Sequence, residues 1–315
     1  MKKASKLVIA TLVASVTLFA SCGKGKEVVE KYDMLKVKGG SLPQEFIELL
    51  GADNDFDENF DENPDLKFTV SDFFISKYEV TQQFYQEVME SDLDVNANPA
   101  YFKENPVSEE EQGLRPVERI SWYDCLYFCN KLSEKEGLEP VYTIEDIQRY
   151  SKDKAIKSAK VSADFTKNGY RLPTYAEWAY AAIGGVKSTG LYKYSGSDDI
   201  STIAWHVNNS GEKTHQVGLK EPNELGLYDM TGNVAEWLWD YLWDEEGYDN
   251  KEYVNFTGPE TGRYRFITGG CFIDYSAGAE FPYEIYDSIG GIQGLRYYNT
   301  GFRLARNASS NKKKK

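Results

Sequence analysis

Helical periodicity ends near residue 184, and this limits the folds open to the chain more than any other feature. Before that point three segments repeat apolar residues at helical spacing, and each follows a hydroxyl residue able to cap a helix. The three predicted helices are Gln82 to Glu90 after Thr81, Cys125 to Leu132 after Ser121, and Tyr175 to Ile183 after Thr174. With 26 glycines and 23 tyrosines in the chain, the remainder predicts irregular backbone with short strands and no repeat.

Two further segments predict strands, and a third predicts exposed chain. The apolar and polar alternation of residues 34–37, closed by paired glycines, is typical of a strand entering a turn. Residues 73–80 also have strand-like composition. Residues 150–160 are polar, and we expect them to form an exposed excursion.

Residues 1–22 have the organisation of a secretory signal peptide. Three lysines precede an apolar run of about 14 residues, too short to cross a bilayer. The run ends in Leu-Phe-Ala-Ser before Cys22, which resembles a bacterial lipobox, whereas a plain signal peptide needs no cysteine. We therefore expect Cys22 to carry acyl chains such as palmitate, and residues 23–33 to form a tether. The protein is then lipid-anchored to the bacterial envelope, at the outer membrane and the cell surface.

Charge and histidine content exclude two classes of function. The formal net charge is −14, which argues against a protein that neutralises nucleic-acid phosphates. The chain has only two histidines, too few for histidine-rich metal chemistry. The acidic stretch 53–65 lacks the central glycine and closing glutamate of an EF-hand, so we interpret it as a solvated loop.

The remaining cysteines do not predict a disulfide scaffold. Cys125 and Cys129 are four residues apart on a predicted helix, near the upper limit of disulfide reach, which favours buried free thiols. Cys271 has no obvious partner.

Seven segments resemble, in order, the formylglycine-generating-enzyme or sulfatase-modifying-factor domain. They are residues 34–40, 78–84, 116–122, 170–178, 223–237, 268–272 and 301–304. The resemblance implies one α+β domain with a C-type-lectin fold and little regular secondary structure, covering residues 34–306. We expect residues 307–315 to be a disordered basic tail. Arg171 and Glu177 can meet at the start of a helix, and Trp178 and Trp237 are expected in the core.

The resemblance also implies a calcium site. Asp229, Gly232, Val234 and Glu236 fall on the family's ligand positions, which would supply two carboxylates and two backbone carbonyls. Alternatively, the two carboxylates hydrogen-bond amides of the turn. The family's other calcium site falls on residues 204–211, which contain no acidic side chain, and we do not expect it here.

The residues that would make the chain an oxidase are absent. Catalytic members hold copper(I) with two cysteines, because copper(I) prefers thiolate ligands. Asp274 and Ala279 stand at those two positions here, and Cys271 stands where the family has serine. We therefore expect no copper and no enzymatic activity.

The segment between the Gly-Gly and Gly-Phe-Arg motifs resembles the variable region of proteins diversified by retroelements, in particular those that are lipoproteins. Tyrosines beside small residues are typical of adaptable contact surfaces, and no lysine occurs at 271–300. We assign residues 265–303 to the variable region and expect Glu280 and Glu284 to be fixed, while Tyr283 and Tyr286 could face the core or the ligand. The residues expected to bind ligand are Cys271, Ile273, Asp274, Tyr275, Ala277, Leu295, Tyr297 and Tyr298.

The sequence thus predicts a monomeric, surface-displayed lipoprotein that binds a protein or glycan ligand through a diversified region. Two alternatives remain open. The first is an enzyme of the same family with an unrecognised centre, and the second is a structural envelope protein whose tyrosine-rich surface makes one fixed contact.

Overall fold

A computed structural model describes residues 33–52, 66–242, 252–274 and 291–308, and for 49–52 the backbone only. The predictions for the signal peptide, Cys22, the tether up to residue 32, the acidic loop 53–65, Tyr275, Ala277, Ala279, Glu280, Tyr283, Glu284, Tyr286 and residues 309–315 lie outside these ranges.

The described ranges contain five α-helices and twelve strands. The helices are α1 (Gln44–Ala52), α2 (Gln82–Met89), α3 (Trp122–Lys135), α4 (Tyr175–Ala182) and α5 (Ile200–Ile203). The strands are β1 (Met34–Val37), β2 (Gly40–Ser41), β3 (Lys67–Val70), β4 (Phe73–Ser76), β5 (Tyr142–Arg149), β6 (Ile156–Ala163), β7 (Tyr170–Arg171), β8 (Ala235–Tyr241), β9 (Glu252–Val254), β10 (Arg265–Thr268), β11 (Thr300–Gly301) and β12 (Ala305–Asn307). Within these ranges, no helix is long and apolar enough to cross a membrane.

The three predicted helices are confirmed together with their caps. The Thr81 hydroxyl accepts a hydrogen bond from the Phe84 amide at 3.2 Å. Ser121 and Thr174 each form a capping box with the acidic residue three positions later. These starts are read correctly from sequence because each cap is made within a few residues.

Four small sheets organise the strands. The sheet ordered β1-β4-β12-β7 places a strand from the end of the chain between two earlier strands. The sheet ordered β10-β8-β11 brings the two ends of the predicted variable region against β8. The other two are β2-β3-β9 and the hairpin β5-β6. The segment proposed to vary therefore starts and ends on one central strand.

An ion pair fixes the entry into α4. Arg171 donates hydrogen bonds to both carboxylate oxygens of Glu177 at 2.6 and 2.7 Å, and also to Asn307. The predicted meeting of Arg171 and Glu177 is confirmed. Trp178 and Trp237 are fully buried, also as expected, in two different hydrophobic clusters. The expected disordered tail 307–315 is wrong at Asn307, which lies in β12 and pairs there with Phe73 of β4.

A second segment also differs from its prediction. Residues 156–163 form β6, which pairs with β5, and Ile156 is fully buried. The expected exposure of 150–160 is thus confirmed at Lys157, Ser158 and Lys160, but it is wrong at Ala155 and Ile156, which are buried. The polar sequence reflects the outer face of a two-stranded hairpin, whose inner face packs on α3.

Candidate functional site

The Gly269-Gly270 turn leads out of β10 into residues 271–274. Both glycines have positive φ, at +95° and +66°, which other residues seldom adopt. The Asp274 carboxylate accepts a hydrogen bond from the Cys271 amide at 2.7 Å and closes a tight turn. Asp274 therefore has a structural contact of its own, and its side chain is half-buried.

Cys271 lies inside the protein, so its prediction as a ligand contact is wrong. Only 1% of the residue is exposed, and its sulfur accepts a hydrogen bond from the Asn299 side chain at 3.3 Å. Burial raises the pKa of the Cys271 thiol well above its usual value. A buried, neutral thiol is a poor nucleophile and a poor ligand contact.

The other described cysteines lie apart from Cys271 in the chain. Cys125 and Cys129 are buried in α3 as free thiols, as the sequence predicts. Across the described ranges, no three side chains of His, Cys, Asp or Glu are grouped so as to hold a metal ion.

Two of the predicted contact residues are partly inside the protein. Ile273 and Tyr297 are half-buried and pack against the hydrophobic cluster that contains Trp237. The Tyr297 and Trp237 ring centroids are 5.9 Å apart. These side chains support the surface and offer only part of their area to a ligand.

Two predicted contact residues are clearly exposed. Leu295 is 41% exposed and Tyr298 is 45% exposed. Ile292, which the sequence analysis did not select, is 42% exposed on the same segment. These three exposed apolar side chains lie on one short segment, and contiguous apolar surface of this kind often marks an interaction site.

The backbone of residues 291–298 is firmly attached to the framework. Gly291 and Arg265 exchange two backbone hydrogen bonds, and a Cβ at Gly291 would overlap the Trp237 ring. The Trp122 amide donates to the Gln293 carbonyl at 3.0 Å. Exposed side chains thus stand on a rigid support, which lowers the entropy lost when a ligand binds.

An aromatic pair from elsewhere in the chain extends this surface. Tyr101 is 61% exposed, and its ring centroid lies 5.9 Å from that of Tyr298 in an edge-to-face arrangement. Phe102 packs edge-to-face on Phe272 at 5.2 Å, and Phe272 in turn contacts Tyr298 at 6.0 Å. We call Tyr101, Ile292, Leu295 and Tyr298 the exposed patch. Sequence reasoning missed Tyr101, although adjacent aromatics in a polar loop could have suggested it.

Of the two carboxylates predicted to bind calcium, Asp229 fits such a site and Glu236 fits it less well. Asp229 is buried with one oxygen, Oδ2, accepting a hydrogen bond from the Gly218 amide, while Oδ1 has no hydrogen-bond partner in the structure. Burial raises the pKa of Asp229 to about 6. An unpartnered buried carboxylate oxygen suits a hard cation such as calcium.

Glu236 fits a metal site less well. Both its oxygens accept hydrogen bonds from Arg303, and Oε2 also accepts one from the Trp178 indole at 2.8 Å. The Gly232 amide donates to the Gly269 carbonyl and the Val234 amide to Glu79, so both amides point into the framework. Of the two predicted carboxylate ligands, Asp229 therefore has an oxygen without a hydrogen-bond partner and Glu236 does not, and calcium binding with the carbonyls of Gly232 and Val234 stays a prediction.

Comparison with known proteins gives a consistent picture. Residues 21–308 match the profile of the sulfatase-modifying factor enzyme 1-like domain. The structure of Treponema denticola variable protein 1 is similar, with a TM-score of 0.67 and 36% sequence identity, over 77% of this chain and 87% of that one. The predicted α+β fold of the formylglycine-generating-enzyme type and the resemblance to a variable protein are confirmed.

Two curated relatives have different functions in their names, one a chaperone and the other an enzyme. The chaperone protein LppX of Paenibacillus barcinonensis is 35% identical over 92% of this chain and 98% of its own length. The formylglycine-generating enzyme of Thermomonospora curvata is 33% identical over 44% of this chain and 49% of its own length. The similarity to the enzyme thus covers about half of either protein.

Proposed function

This chain belongs to the sulfatase-modifying factor enzyme 1-like family, and from that premise we propose that it is a non-catalytic binding protein whose ligand is another protein. The observation that carries the proposal is the exposed patch. Tyrosine and aliphatic side chains stand there on a rigid backbone, at the segment that resembles a variable region. Protein interfaces are enriched in such aromatic residues at their centres.

The turn after β10 supports binding over catalysis. The first of the two positions that hold cysteines in catalytic relatives is Asp274, whose carboxylate is engaged by the Cys271 amide. The thiol of Cys271 is buried and its pKa is raised. The oxidase chemistry of catalytic relatives needs paired, accessible sulfur ligands.

We further propose that the protein acts as a monomer at the bacterial cell surface, attached through acylated Cys22. A surface position gives a diversified binding region access to proteins outside the cell. In this proposal the substitutions between gene copies fall within residues 265–303, and the sheet β10-β8-β11 holds both ends of that region in place.

A calcium ion at Asp229, Gly232 and Val234 is part of the proposal. These residues lie in the turn before β8, the strand that supports both ends of the predicted variable region. An ion there would stabilise the support of the patch and would not contact the ligand. Its chemical contribution would be to neutralise the buried charge of Asp229.

A second candidate function is chaperone activity toward one fixed client protein. It is favoured by the similarity to the chaperone protein LppX over nearly the whole of both chains. Gene copies from related strains separate the candidates. Substitutions concentrated at 265–303 support a diversified binder, whereas unchanged copies support a fixed client.

The binding proposal is tested with a phage-displayed library of random peptides selected against the full-length protein. The selected peptides are then measured on the variant Leu295→Ala/Tyr298→Ala and on the control Leu93→Ala, which removes an exposed leucine elsewhere. We expect the double variant to weaken binding at least tenfold, about 1.4 kcal/mol, and the control to leave it unchanged. Equal binding to both variants, or no peptide above background, would overturn the proposal.

A further inference from the structure

We infer that Tyr101 and Arg119, both outside the predicted variable region, form a constant part of the ligand-binding surface, and that the protein epitope bound there presents an apolar side chain next to a carboxylate. The inference rests on the proposed function. It adds that the chemistry of the ligand is restricted by two framework residues, whatever the variable positions contain.

Tyr101 is held in place although it is exposed. Its amide and the amide of Phe102 donate hydrogen bonds to the two carboxylate oxygens of Glu118 at 2.8 and 2.9 Å. Glu118 is fully buried, and Phe102 packs between Phe272 and the Arg115 guanidinium. The ring of Tyr101 is therefore presented to solvent from a fixed backbone and contacts Tyr298 directly.

Arg119 is attached to the segment that carries Tyr298 through its backbone. Its amide donates to the carbonyl of Tyr297 at 2.9 Å, one residue before Tyr298. Its backbone has φ of +60°, an uncommon conformation for arginine. The residues on either side, Glu118 and Ile120, are both buried, and the turn leaves Arg119 exposed between them. Such strain is often kept where a side chain has a function.

The side chain of Arg119 belongs to an exposed residue. In the part of the chain that the structure describes, it makes no side-chain hydrogen bond or ion pair. By contrast, Arg296 on the neighbouring segment is paired with Asp153. An exposed arginine whose backbone is bonded to an aromatic segment suits a ligand that carries a carboxylate next to an apolar group, because the guanidinium can form two parallel hydrogen bonds with the carboxylate.

Arg119 carries a positive charge in a protein whose overall charge is negative. The chain carries a formal net charge of −14, which repels acidic partners in general. The amide of Arg119 is bonded to Tyr297, next to Tyr298 of the exposed patch, so the positive charge of Arg119 favours docking of an acidic group of the ligand at this segment. This arrangement fixes the orientation of an epitope as well as its composition.

The inference is tested with phage-displayed peptides selected on the full-length protein. Sequences selected on the wild type should be enriched in aspartate or glutamate beside an aromatic or aliphatic residue. Selection on Arg119→Glu should instead enrich lysine or arginine at that place. An acidic preference that persists on Arg119→Glu, or that is also lost on the control Lys193→Ala, an exposed lysine elsewhere, would contradict the inference.

Affinity measurements then separate the inference from the proposed function. For the peptides selected on the wild type, we expect Tyr101→Ala and Arg119→Ala each to weaken binding about tenfold, and Leu93→Ala and Lys193→Ala to have no effect. If Leu295→Ala/Tyr298→Ala weakens binding but Tyr101→Ala and Arg119→Ala do not, the inference fails and the proposed function stands. If none of these variants weakens binding, both fail.

Discussion

Arg303 donates hydrogen bonds from its guanidinium to the carboxylate of Glu236, with an Nη2–Oε1 distance of 2.6 Å, and both side chains are buried. Glu236 lies on β8, and Arg303 follows β11, so the pair joins the central strand to the segment that leaves the predicted variable region. The same guanidinium also donates to the carbonyls of Ser76 and Tyr228. Arg303 therefore connects β8, the end of β4 and the turn at Tyr228.

Removing Arg303 should strongly destabilise the fold. Arg303→Met leaves the Glu236 carboxylate buried without its counter-ion, and we expect the free energy of unfolding to fall by about 3–5 kcal/mol in chemical denaturation. The matched control Arg263→Met changes an exposed arginine and should have little effect. The double variant Arg303→Met/Glu236→Gln should recover part of the loss. Similar midpoints for Arg303→Met and the wild type would contradict this account.

Calcium should stabilise the protein through Asp229. At a pH above the Asp229 pKa of about 6, the carboxylate is charged and Oδ1 is without a partner. We expect excess calcium, compared with chelator, to raise the melting temperature of the wild type by ~2–5 °C. The variant Asp229→Asn should show no such increase. An equal increase in both proteins would place the ion elsewhere, and no increase in the wild type would remove calcium from the proposal.

Glu118, whose carboxylate holds the backbone of Tyr101, should titrate near neutral pH. Burial raises the pKa of Glu118 from 4.5 to about 7, while the amides of Tyr101 and Phe102 and the charges of Arg115 and Arg119 act in the opposite direction. The amide proton shifts of Tyr101 and Phe102 in NMR spectra should therefore change with a midpoint near that value. In Glu118→Gln these shifts should stay constant over the same range.

Glu118 should also make stability depend on pH. Because its pKa is higher in the folded protein than in the unfolded chain, its contribution is fully present below pH 4.5 and is lost as the pH rises through about 7. We expect the free energy of unfolding of the wild type to decline over this interval relative to that of Glu118→Gln. A rise relative to the variant would show that the buried carboxylate is stabilised in its charged form.

The thiol of Cys271 should be unreactive in the folded protein. It is buried and its pKa is raised, so the thiolate that reacts with iodoacetamide is scarce. Mass spectrometry should find Cys271 unmodified under native conditions and modified after denaturation. Cys125 and Cys129 serve as internal controls, because they are also buried free thiols. Rapid native modification of Cys271 alone would favour the enzymatic alternative.

The exposed patch shows where sequence reasoning was limited. Leu295 and Tyr298 were selected from a segment that resembles a variable region, and both are exposed. Cys271 was selected from the same segment and is buried, because the turn closed by Asp274 directs it inward. Composition locates such a segment, but the direction of each side chain depends on the turn that the folded backbone makes.

Local contacts were determined by the sequence alone. Thr81 and Ser121 cap helices through residues three positions later, and Arg171 meets Glu177 six positions away, so short-range patterns sufficed for both. Only the tertiary structure decided that Tyr101 contacts Tyr298 and that Arg303 pairs with Glu236. These partners are distant in the chain and are selected by the packing of the whole core, which no local pattern of residues encodes.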